Sequence, residues 1–213
     1  MKITVFGAAG NVATRVIDEA LSRGHKVTAV VRSASRIDEL NPLVKAVLGD
    51  ASKVEDVIRL SEGQDLVVSA TRPAKGNESE LISITKSLLE GLAQTGARLL
   101  LVGGAASLTV PNSNGTLVVD DPNFVGPGWL DIALACLAQY KICAANNQVN
   151  WSYISPPALI LPGERTAKFR LGNDELLLDQ LGNSKISLED FAVALIDEAE
   201  QPKQQRRRFT VAY

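Results

Sequence analysis

Residues 3–13 read Ile3-Thr4-Val5-Phe6-Gly7-Ala8-Ala9-Gly10-Asn11-Val12-Ala13. An apolar run precedes the first glycine, and an amphipathic stretch begins at Asn11. A strand, a glycine turn and a helix in this order form a binding site for the pyrophosphate of a dinucleotide. Gly7 permits the tight turn, and Gly10 lets the backbone approach the phosphates because it has no Cβ. Ala13 is small enough for the helix to pack closely on the strand.

The phosphates are expected at the N-terminus of the helix, where unpaired N–H groups and the positive end of the helix dipole attract anions. Two glycines can also simply make a turn, but the strand before them and the helix after them favour a nucleotide site. We therefore predict that five residues of this turn contact a cofactor, namely Gly7, Ala9, Gly10, Asn11 and Val12.

The composition is that of an ordinary soluble α/β protein. The chain has 213 residues, of which 46% are hydrophobic and 22% charged, and its formal net charge at pH 7 is −2. This length predicts one domain over residues 1–213. The charge balance argues against nucleic acid as a partner, and the apolar runs are too short to span a membrane. With no signal-peptide pattern, we expect a cytoplasmic protein that binds a small-molecule acceptor, as a monomer or a homodimer.

The cysteines and the single histidine argue against metal or triad chemistry. Cys136 and Cys143 lie seven positions apart in a predicted helix, a rise of about 10 Å that is too long for a disulfide. We expect both to be reduced core residues. His25 lies in a predicted turn, so a zinc site or a Ser-His-Asp triad built on histidine is not expected, and no metal is predicted.

Apolar strand-like runs alternate with helical patterns along the chain. This alternation predicts a doubly wound, Rossmann-like parallel sheet with helices on both faces and a small C-terminal extension on the substrate side. Most runs are almost continuously apolar, as strands covered on both faces must be. The predicted strands are Lys2–Phe6, Lys26–Val31, Val44–Leu48, Asp65–Ala70, Arg98–Val102 and Trp151–Ser155, and a short last strand follows Arg206-Arg207-Arg208.

Helix boundary signals lie between these strands. Ser52-Lys53-Val54-Glu55 has the pattern of a capping box for a helix over Val54–Ser61. Asn77 is a candidate N-cap for a helix over Glu78–Gln94. Trp129–Asn146 predicts a further helix, and Ser187 begins a last one that ends near Glu200.

Two longer segments interrupt the alternation, at about residues 108–128 and 156–182. Both are rich in turn-forming residues, and both follow the carboxyl ends of late strands, where open α/β sheets bind ligands. Long loops in a compact domain are usually functional. We expect these segments to form the substrate side of the site.

The end of the second strand indicates which cofactor is bound. An acidic residue there would bind the ribose 2′-hydroxyl of NAD, but the sequence has Arg32 followed by Ser33. The guanidinium suits the 2′-phosphate of NADP, with help from Ser33 and Arg36. An ordinary surface arginine is the alternative. NADP(H) is therefore favoured as the cofactor, with NAD(H) as the second choice.

Further cofactor contacts are predicted after the third and fourth strands. Asp50 can accept from the adenine amino group while the N–H of Ala51 donates to the ring. Asp50 can also act as a second cap for the next helix, and the two roles are compatible. Ala70, Thr71 and Arg72 leave the fourth strand at the point where small residues let the phosphates and ribose approach.

Several motifs together resemble a known group. The glycine turn, Arg23-Gly24-His25-Lys26-Val27 and Val30-Val31-Arg32 are similar to the atypical short-chain dehydrogenase/reductase superfamily. The later motifs resemble its NmrA-like branch, which includes proteins assigned as NADH-flavin reductases and is related to biliverdin/flavin reductase. These later motifs are Gly103-Gly104-Ala105-Ala106-Ser107-Leu108, Ser155-Pro156-Pro157-Ala158, Pro162-Gly163-Glu164-Arg165-Thr166 and Phe209-Thr210-Val211-Ala212-Tyr213.

The resemblance implies NAD(P)H binding, with the nicotinamide near the ends of the fourth, fifth and sixth strands. It places Pro156 among the cofactor contacts and matches Ser107 to a serine whose hydroxyl orients the acceptor or the nicotinamide. We expect Ser107 to be the catalytic residue and its hydroxyl to face the crevice; bonding only within its own turn is the alternative.

The chain departs from the superfamily at its Tyr-x-x-x-Lys pair. Tyr140 is followed four positions later by Ala144, and Lys141 faces about 100° away on a helix. A tyrosine acid assisted by a lysine one turn later is therefore not expected. This departure is compatible with flavin or tetrapyrrole reduction, where solvent can supply the proton. Our leading interpretation is an NAD(P)H-dependent reductase that transfers hydride to a flat conjugated acceptor such as a flavin or quinone. A non-catalytic NAD(P)-binding sensor is the alternative, and a sugar-nucleotide epimerase or dehydratase is a third interpretation.

Overall fold

The computed structural model describes residues 1–213 and is built on one eight-stranded sheet. The strands are β1 (Lys2–Phe6), β2 (Lys26–Val31), β3 (Lys45–Leu48), β4 (Leu66–Ser69), β5 (Arg98–Val102), β6 (Trp151–Ser155), β7 (Leu159–Leu161), β8 (Arg170–Gly172), β9 (Lys185–Ser187) and β10 (Arg207–Ala212). The order in the main sheet is β3-β2-β1-β4-β5-β6-β10-β8, and only β8 runs antiparallel to its neighbour. β7 and β9 form a separate parallel pair.

Five α-helices cover the two faces of this sheet. They are α1 (Asn11–Ser22), α2 (Val54–Ser61), α3 (Glu80–Thr95), α4 (Leu130–Ala144) and α5 (Leu188–Glu200). One apolar core is formed where α1 and α5 pack on the sheet, and a second where α2, α3 and α4 pack on the opposite face. The predicted Rossmann-like α/β fold is confirmed. None of the helices has the length and apolar character needed to cross a bilayer.

The strand order reverses direction between β1 and β4. Chain order runs outward from β1 to β3 on one side and from β4 to β6 on the other. In open parallel sheets a crevice forms at such a point, beyond the carboxyl ends of the strands, and ligands bind there. The residues that follow β1, β2, β3 and β4 therefore face a common space.

The predicted start of α3 is wrong by two residues. The first turn after Asn77 closes with bonds from residue i to i−3, including Glu80 N to Asn77 O at 2.9 Å. This turn is 3₁₀-like, so the α-helix begins only at Glu80, and its N-cap, Ser79, makes no side-chain capping bond. The helix ends as predicted near Gly96, which adopts a left-handed conformation.

The predicted capping box of α2 is also wrong. The hydroxyl of Ser52 donates to Asp50 Oδ1 at 2.8 Å instead of accepting from the helix. The N-cap is Lys53, which makes no capping bond through its side chain. The local hydrogen bond between Ser52 and Asp50 competes with capping, as short polar side chains commonly do.

Buried carboxylates on α1 and α5 bind the segment that follows β7. Both oxygens of the Glu19 carboxylate accept from Arg165, at 2.7 and 2.8 Å. The fully buried Asp190 accepts from the N–H groups of Thr166 and Ala167, at 2.8 and 2.7 Å, and from the hydroxyl of Tyr213 at 2.9 Å. These contacts dock residues 163–167 on α1 and α5.

Candidate functional site

A cleft of about 610 Å³ opens at the carboxyl ends of the first four strands. Its walls bring together most of the residues predicted to bind a cofactor, namely Gly7, Ala9, Gly10, Asn11, Arg32, Ser33, Asp50, Ala51, Ala70, Thr71 and Arg72. Three predicted site residues, Val12, Pro156 and Ser107, do not line the cleft. The cleft lies at the strand reversal, which is where the fold favours a ligand.

The glycine turn leaves room for a phosphate against the backbone. Gly7 has a φ of +77°, and a Cβ on it would lie 2.8 Å from the carbonyl oxygen of Ala70. Gly10 is the N-cap of α1, and a Cβ there would lie 3.2 Å from Gly7 O. The cap has no side-chain acceptor, and the first turn of α1 contains no acidic residue. Its backbone N–H groups and the helix dipole therefore suit a bound anion.

Two arginines stand at the end of the cleft near β2, and they differ in their partners. Arg36 donates to Ala9 O at 3.0 Å and pairs with Glu39, so it supports the glycine turn. Arg32 has one partner, Glu80, at 3.4 Å, and its side chain is 61% exposed. The hydroxyls of Ser33 and Ser35 lie 2.7 Å apart. Of these two arginines, Arg32 therefore has more freedom to meet a ligand phosphate.

Asp50 makes local contacts that leave part of its carboxylate available. The N–H and the hydroxyl of Ser52 both donate to Oδ1 of Asp50, at 2.9 and 2.8 Å. The N–H of Asp50 donates to Asp56, whose pKa is held below its usual value mainly by its hydrogen bond with Arg59. No protein donor reaches Oδ2 of Asp50, so the predicted contact with an adenine amino group and the local role are compatible.

Ser107 lies outside the cleft, in a 3₁₀ turn over Ala105–Ser107, and is 6% exposed. Arg208 donates to its carbonyl oxygen at 2.6 Å and to its hydroxyl oxygen at 2.7 Å. The same guanidinium donates to Asp174 and lies 4.4 Å from the centre of the Tyr140 ring. The hydroxyl is thus bound to a buried arginine from β10, not to its own turn. A role in catalysis stays a prediction.

The other two predicted contacts lie at the edges of the site. Val12 packs its side chain partly against the core formed with α1 and α5. Pro156 directly follows β6 and is half-buried. Their cofactor contacts stay predictions.

The hydroxyl of Tyr153 is engaged inside the protein. Its single proton has two acceptors within hydrogen-bond distance, Cys136 O at 3.1 Å and Gln139 Oε1 at 3.2 Å, and its oxygen accepts from the N–H of Gly104. Complete burial raises the pKa of Tyr153 well above its usual value. Tyr153 is therefore no candidate for an acid or a base.

Burial also makes the thiols of the two cysteines unreactive. Both are free thiols, and burial raises the pKa of Cys136 to about 11 and that of Cys143 to about 12. Neither is a reactive thiolate at neutral pH. No group of three or more His, Cys, Asp or Glu side chains is arranged to hold a metal ion.

Helix α3 contributes cleft residues that were not predicted from the sequence. Glu80 and Ile84 line the cleft opposite the end of β2. They lie four residues apart and therefore on one face of α3. Two residues with this four-residue spacing, on the helix that follows the fourth strand, could have been identified from the sequence as candidates for the cleft wall.

Trp129 does not line the cleft, but it contacts Arg72, which does, and the sequence did not single it out. It is 61% exposed, and the guanidinium of Arg72 lies 5.4 Å from the centre of its ring. The sequence signal that could have identified Trp129 is an aromatic residue at the end of a Gly- and Pro-rich segment.

Comparisons with known proteins identify the family of the chain. A family model described as NAD(P)H-binding matches residues 7–202. YwnB from Bacillus subtilis (strain 168), a protein described as uncharacterized, is 34% identical over 217 residues, which cover 99% of this chain and 98% of the relative.

Two crystal structures are also similar. A Bacteroides thetaiotaomicron protein provisionally assigned as an epimerase shares 37% identity with a TM-score of 0.90, covering 100% of this chain and 96% of that one. A Streptococcus pneumoniae TIGR4 protein provisionally assigned as an NADH-flavin reductase shares 27% identity with a TM-score of 0.88, covering 100% and 99%. The resemblance inferred from the motifs is confirmed. Because the family model spans most of the chain, the protein belongs to the NAD(P)H-binding family.

Proposed function

We propose that the protein is an NAD(P)H-dependent oxidoreductase that passes a hydride to a flat conjugated acceptor such as a flavin or a quinone. The observation that carries this proposal is the cleft at the strand reversal, with the glycine turn at its base and Arg32 at one end. The bound nicotinamide would supply the hydride, and a solvent proton completes the two-electron reduction of the acceptor.

The surroundings of Tyr140 support an acceptor that needs no protein acid. Its ring packs edge-on against Tyr153, with centres 5.3 Å apart, and under Arg208. The neighbouring Lys141 is exposed on α4, and Ala144 stands where a lysine would lie one turn after the tyrosine. This disfavours epimerase, dehydratase or ordinary alcohol–ketone chemistry, which relies on a positioned acid or base.

The charge at the end of β2 supports NADP(H) over NAD(H). Arg32 and Ser33 line the cleft there, and Arg32 is held only by its contact with Glu80. A ribose 2′-phosphate carries more charge than one carboxylate and can accept two parallel bonds from a guanidinium. NADPH would therefore displace Glu80 as the partner of Arg32.

Ser107 would act as a neutral hydrogen-bond donor to the acceptor or the nicotinamide. A guanidinium has only donors, so the Ser107 oxygen accepts in its contact with Arg208. The hydroxyl hydrogen of Ser107 is then left for another partner. The polar contact with a cation also polarises the O–H bond.

The test is direct mixing of purified protein with NADPH or NADH and a panel of flavins and quinones. We expect NADPH oxidation with at least one acceptor, at a rate that depends on protein concentration, and slower oxidation of NADH. Tight NADPH binding with no oxidation by any acceptor would replace the reductase with a dinucleotide-binding sensor, which is the second candidate.

A further inference from the structure

The two tryptophans of the chain have opposite environments. Trp151 is 2% exposed, and its indole N–H donates to Asn146 O at 3.0 Å. Trp129 is 61% exposed and forms no hydrogen bond through its indole. It lies in a 3₁₀ turn over Pro127–Trp129, immediately before α4. Core packing therefore explains Trp151 but does not explain why a tryptophan stands at position 129.

Arg72 is the charged partner of this exposed ring. It follows β4, lines the cleft, and places its guanidinium 5.4 Å from the centre of the Trp129 ring. Arg72 forms no ion pair in the structure. The nearby carboxylate of Glu78, whose pKa is lowered chiefly by hydrogen bonding to Gly76, accepts from Gly76 N at 2.9 and 3.0 Å. The Arg72 cation is thus available to an anion.

The position of this pair follows from the strand order. Arg32 follows β2, and Arg72 follows β4, which lies two strands further across the sheet. Neighbouring strands lie about 4.8 Å apart, so the two arginines mark points roughly 10 Å apart along the strand ends. A dinucleotide with its adenosine end near Arg32 and its pyrophosphate on the glycine turn would extend toward β4 and β5.

Two parts of the α4 region adjoin the same end of the cleft. Trp129, just before the helix, contacts Arg72, and Cys136, in the middle of the helix, lies against the residues that follow β5. A Cβ on Gly104, just after β5, would lie 2.8 Å from Cβ of Cys136, so α4 packs directly against the end of that strand. Arg72 is close enough to Cys136 to oppose, in part, the effect of burial on the pKa of that thiol. Trp129, Arg72 and the end of β5 therefore surround the place where the reactive end of the cofactor is expected.

We propose that Trp129 and Arg72 bind the acceptor, with the indole stacked on its flat conjugated ring and the guanidinium paired with an anionic group that it carries. This inference rests on the proposed function and narrows its substrate class to planar acceptors with a phosphate or carboxylate. Arg72 lies over the Trp129 ring, which is still 61% exposed, so an indole surface and an unpaired cation are available together. This combination matches a flat ring that bears an anion.

The test uses riboflavin and FMN, which share a ring system and differ by one phosphate. Each is titrated calorimetrically into the whole protein saturated with NADP⁺, so that binding is measured without hydride transfer. The affinity for NADP⁺ is measured first for every variant, because Arg72 also lines the cofactor cleft.

We expect the unmodified protein to bind FMN more tightly than riboflavin. Trp129→Ala should weaken both ligands about tenfold, as is typical when a stacking aromatic is removed, and Trp129→Phe should restore most of the loss. Arg72→Gln should weaken FMN roughly tenfold and riboflavin less than twofold. Leu181→Ala and Arg207→Gln, which change exposed residues outside the cleft, should alter neither affinity.

The outcomes separate this inference from the proposed function. Equal FMN affinity in the unmodified protein and Trp129→Ala, or no FMN binding to the unmodified protein, would overturn the assignment of the acceptor site. Equal losses for riboflavin and FMN in Arg72→Gln would overturn the anionic requirement. FMN binding that needs both residues, without NADPH oxidation by FMN or by any other acceptor of the panel, would keep the binding site but overturn the reductase.

Discussion

The guanidinium of Arg208 lies 2.7 Å from the hydroxyl oxygen of Ser107, although the two residues are 101 positions apart in the chain. Arg208 belongs to β10, whereas Ser107 belongs to the turn after β5. The arginine side chain is 5% exposed, so this contact is shielded from water. It holds the Ser107 turn through both its carbonyl and its hydroxyl oxygen, and it determines that the hydroxyl oxygen is an acceptor.

Replacing Ser107 with Ala should slow reduction without stopping it. A neutral donor can orient or polarise an acceptor but cannot hold a charge, so we expect turnover to fall roughly tenfold to a hundredfold, about 1.4–2.7 kcal/mol of transition-state stabilisation. NADPH affinity should change little, because Ser107 does not line the cleft. Steady-state turnover and NADPH titration check both. A full-rate Ser107→Ala enzyme with lowered thermal stability would assign the serine a structural role only.

If Arg208 acts through Ser107, the two substitutions should not be additive. Arg208→Gln should reduce turnover in the unmodified background but have little further effect in Ser107→Ala. Arg98→Gln is the control, because Arg98 is also buried and also donates to a serine, Ser152, at 2.8 Å. Each arginine substitution should lower the unfolding free energy by about 1–3 kcal/mol. Equal loss of turnover in Arg98→Gln would show that destabilisation alone explains the effect.

Gly10→Val should abolish dinucleotide binding while the protein stays folded. Even a Cβ at this position lies 3.2 Å from Gly7 O, and the two methyl groups of valine would occupy the space that the pyrophosphate needs. Gly126→Val is a matched control, since a Cβ there has no neighbour within 4 Å. NADPH titration and circular dichroism of both variants provide the measurement. Unchanged NADPH affinity in a folded Gly10→Val protein would contradict the assignment of the phosphate site to this turn.

The preference for NADP(H) should depend on Arg32. Arg32→Asp should weaken NADPH by roughly 2–3 kcal/mol and affect NADH little, because a charge-assisted pair is lost and repulsion is added. Glu80→Gln should act in the opposite direction and tighten NADPH by up to about 1 kcal/mol, since Glu80 competes with the phosphate for Arg32. Titrations with both cofactors test this. Tighter binding of NADH than NADPH by the unmodified protein would contradict the assignment.

Acid should weaken the attachment of residues 163–167 to α1. Hydrogen bonding from Arg165 lowers the pKa of Glu19 below its usual value of 4.5. A carboxylate with a lowered pKa in the folded state contributes stability above its unfolded pKa and loses it as the pH falls toward the folded value. The unfolding free energy should therefore decrease as the pH is lowered below about 4.5.

Glu19→Gln should cost about 1–3 kcal/mol at pH 7 and should reduce the slope of stability against pH in this acidic range. Denaturant unfolding at several pH values measures both quantities. Glu90→Gln, at an exposed carboxylate on α3, is the control. An unchanged slope in Glu19→Gln would show that other carboxylates account for the acid sensitivity.

Local patterns predicted the elements that carry their own signals. β1, β2, β5 and β6 have the bounds expected from their apolar runs. The N-cap of α5 is also as predicted, because Ser187 accepts from Asp190 N at 2.9 Å. In each case neighbouring residues determine the outcome, through strand burial, turn geometry or capping. The glycine turn belongs to this group as well, so the base of the cleft could be inferred before the fold was known.

Competing short-range bonds caused the errors. Ser52 has the sequence of a helix cap, but its hydroxyl is taken by Asp50. Asn77 has the residue type of a cap, but a 3₁₀-like turn delays α3 to Glu80. Residue type alone does not show which of two nearby partners a polar side chain will choose.

The sequence by itself determined the Rossmann-like fold, the glycine turn after β1 and the cation at the end of β2, because each depends on residues close together in the chain. Only the tertiary structure decided that Arg208 meets Ser107, that Glu80 faces Arg32 and that Arg72 lies over Trp129. These pairs join residues 48 to 101 positions apart. Such contacts depend on the strand order and on how the helices pack, and no local periodicity encodes either one.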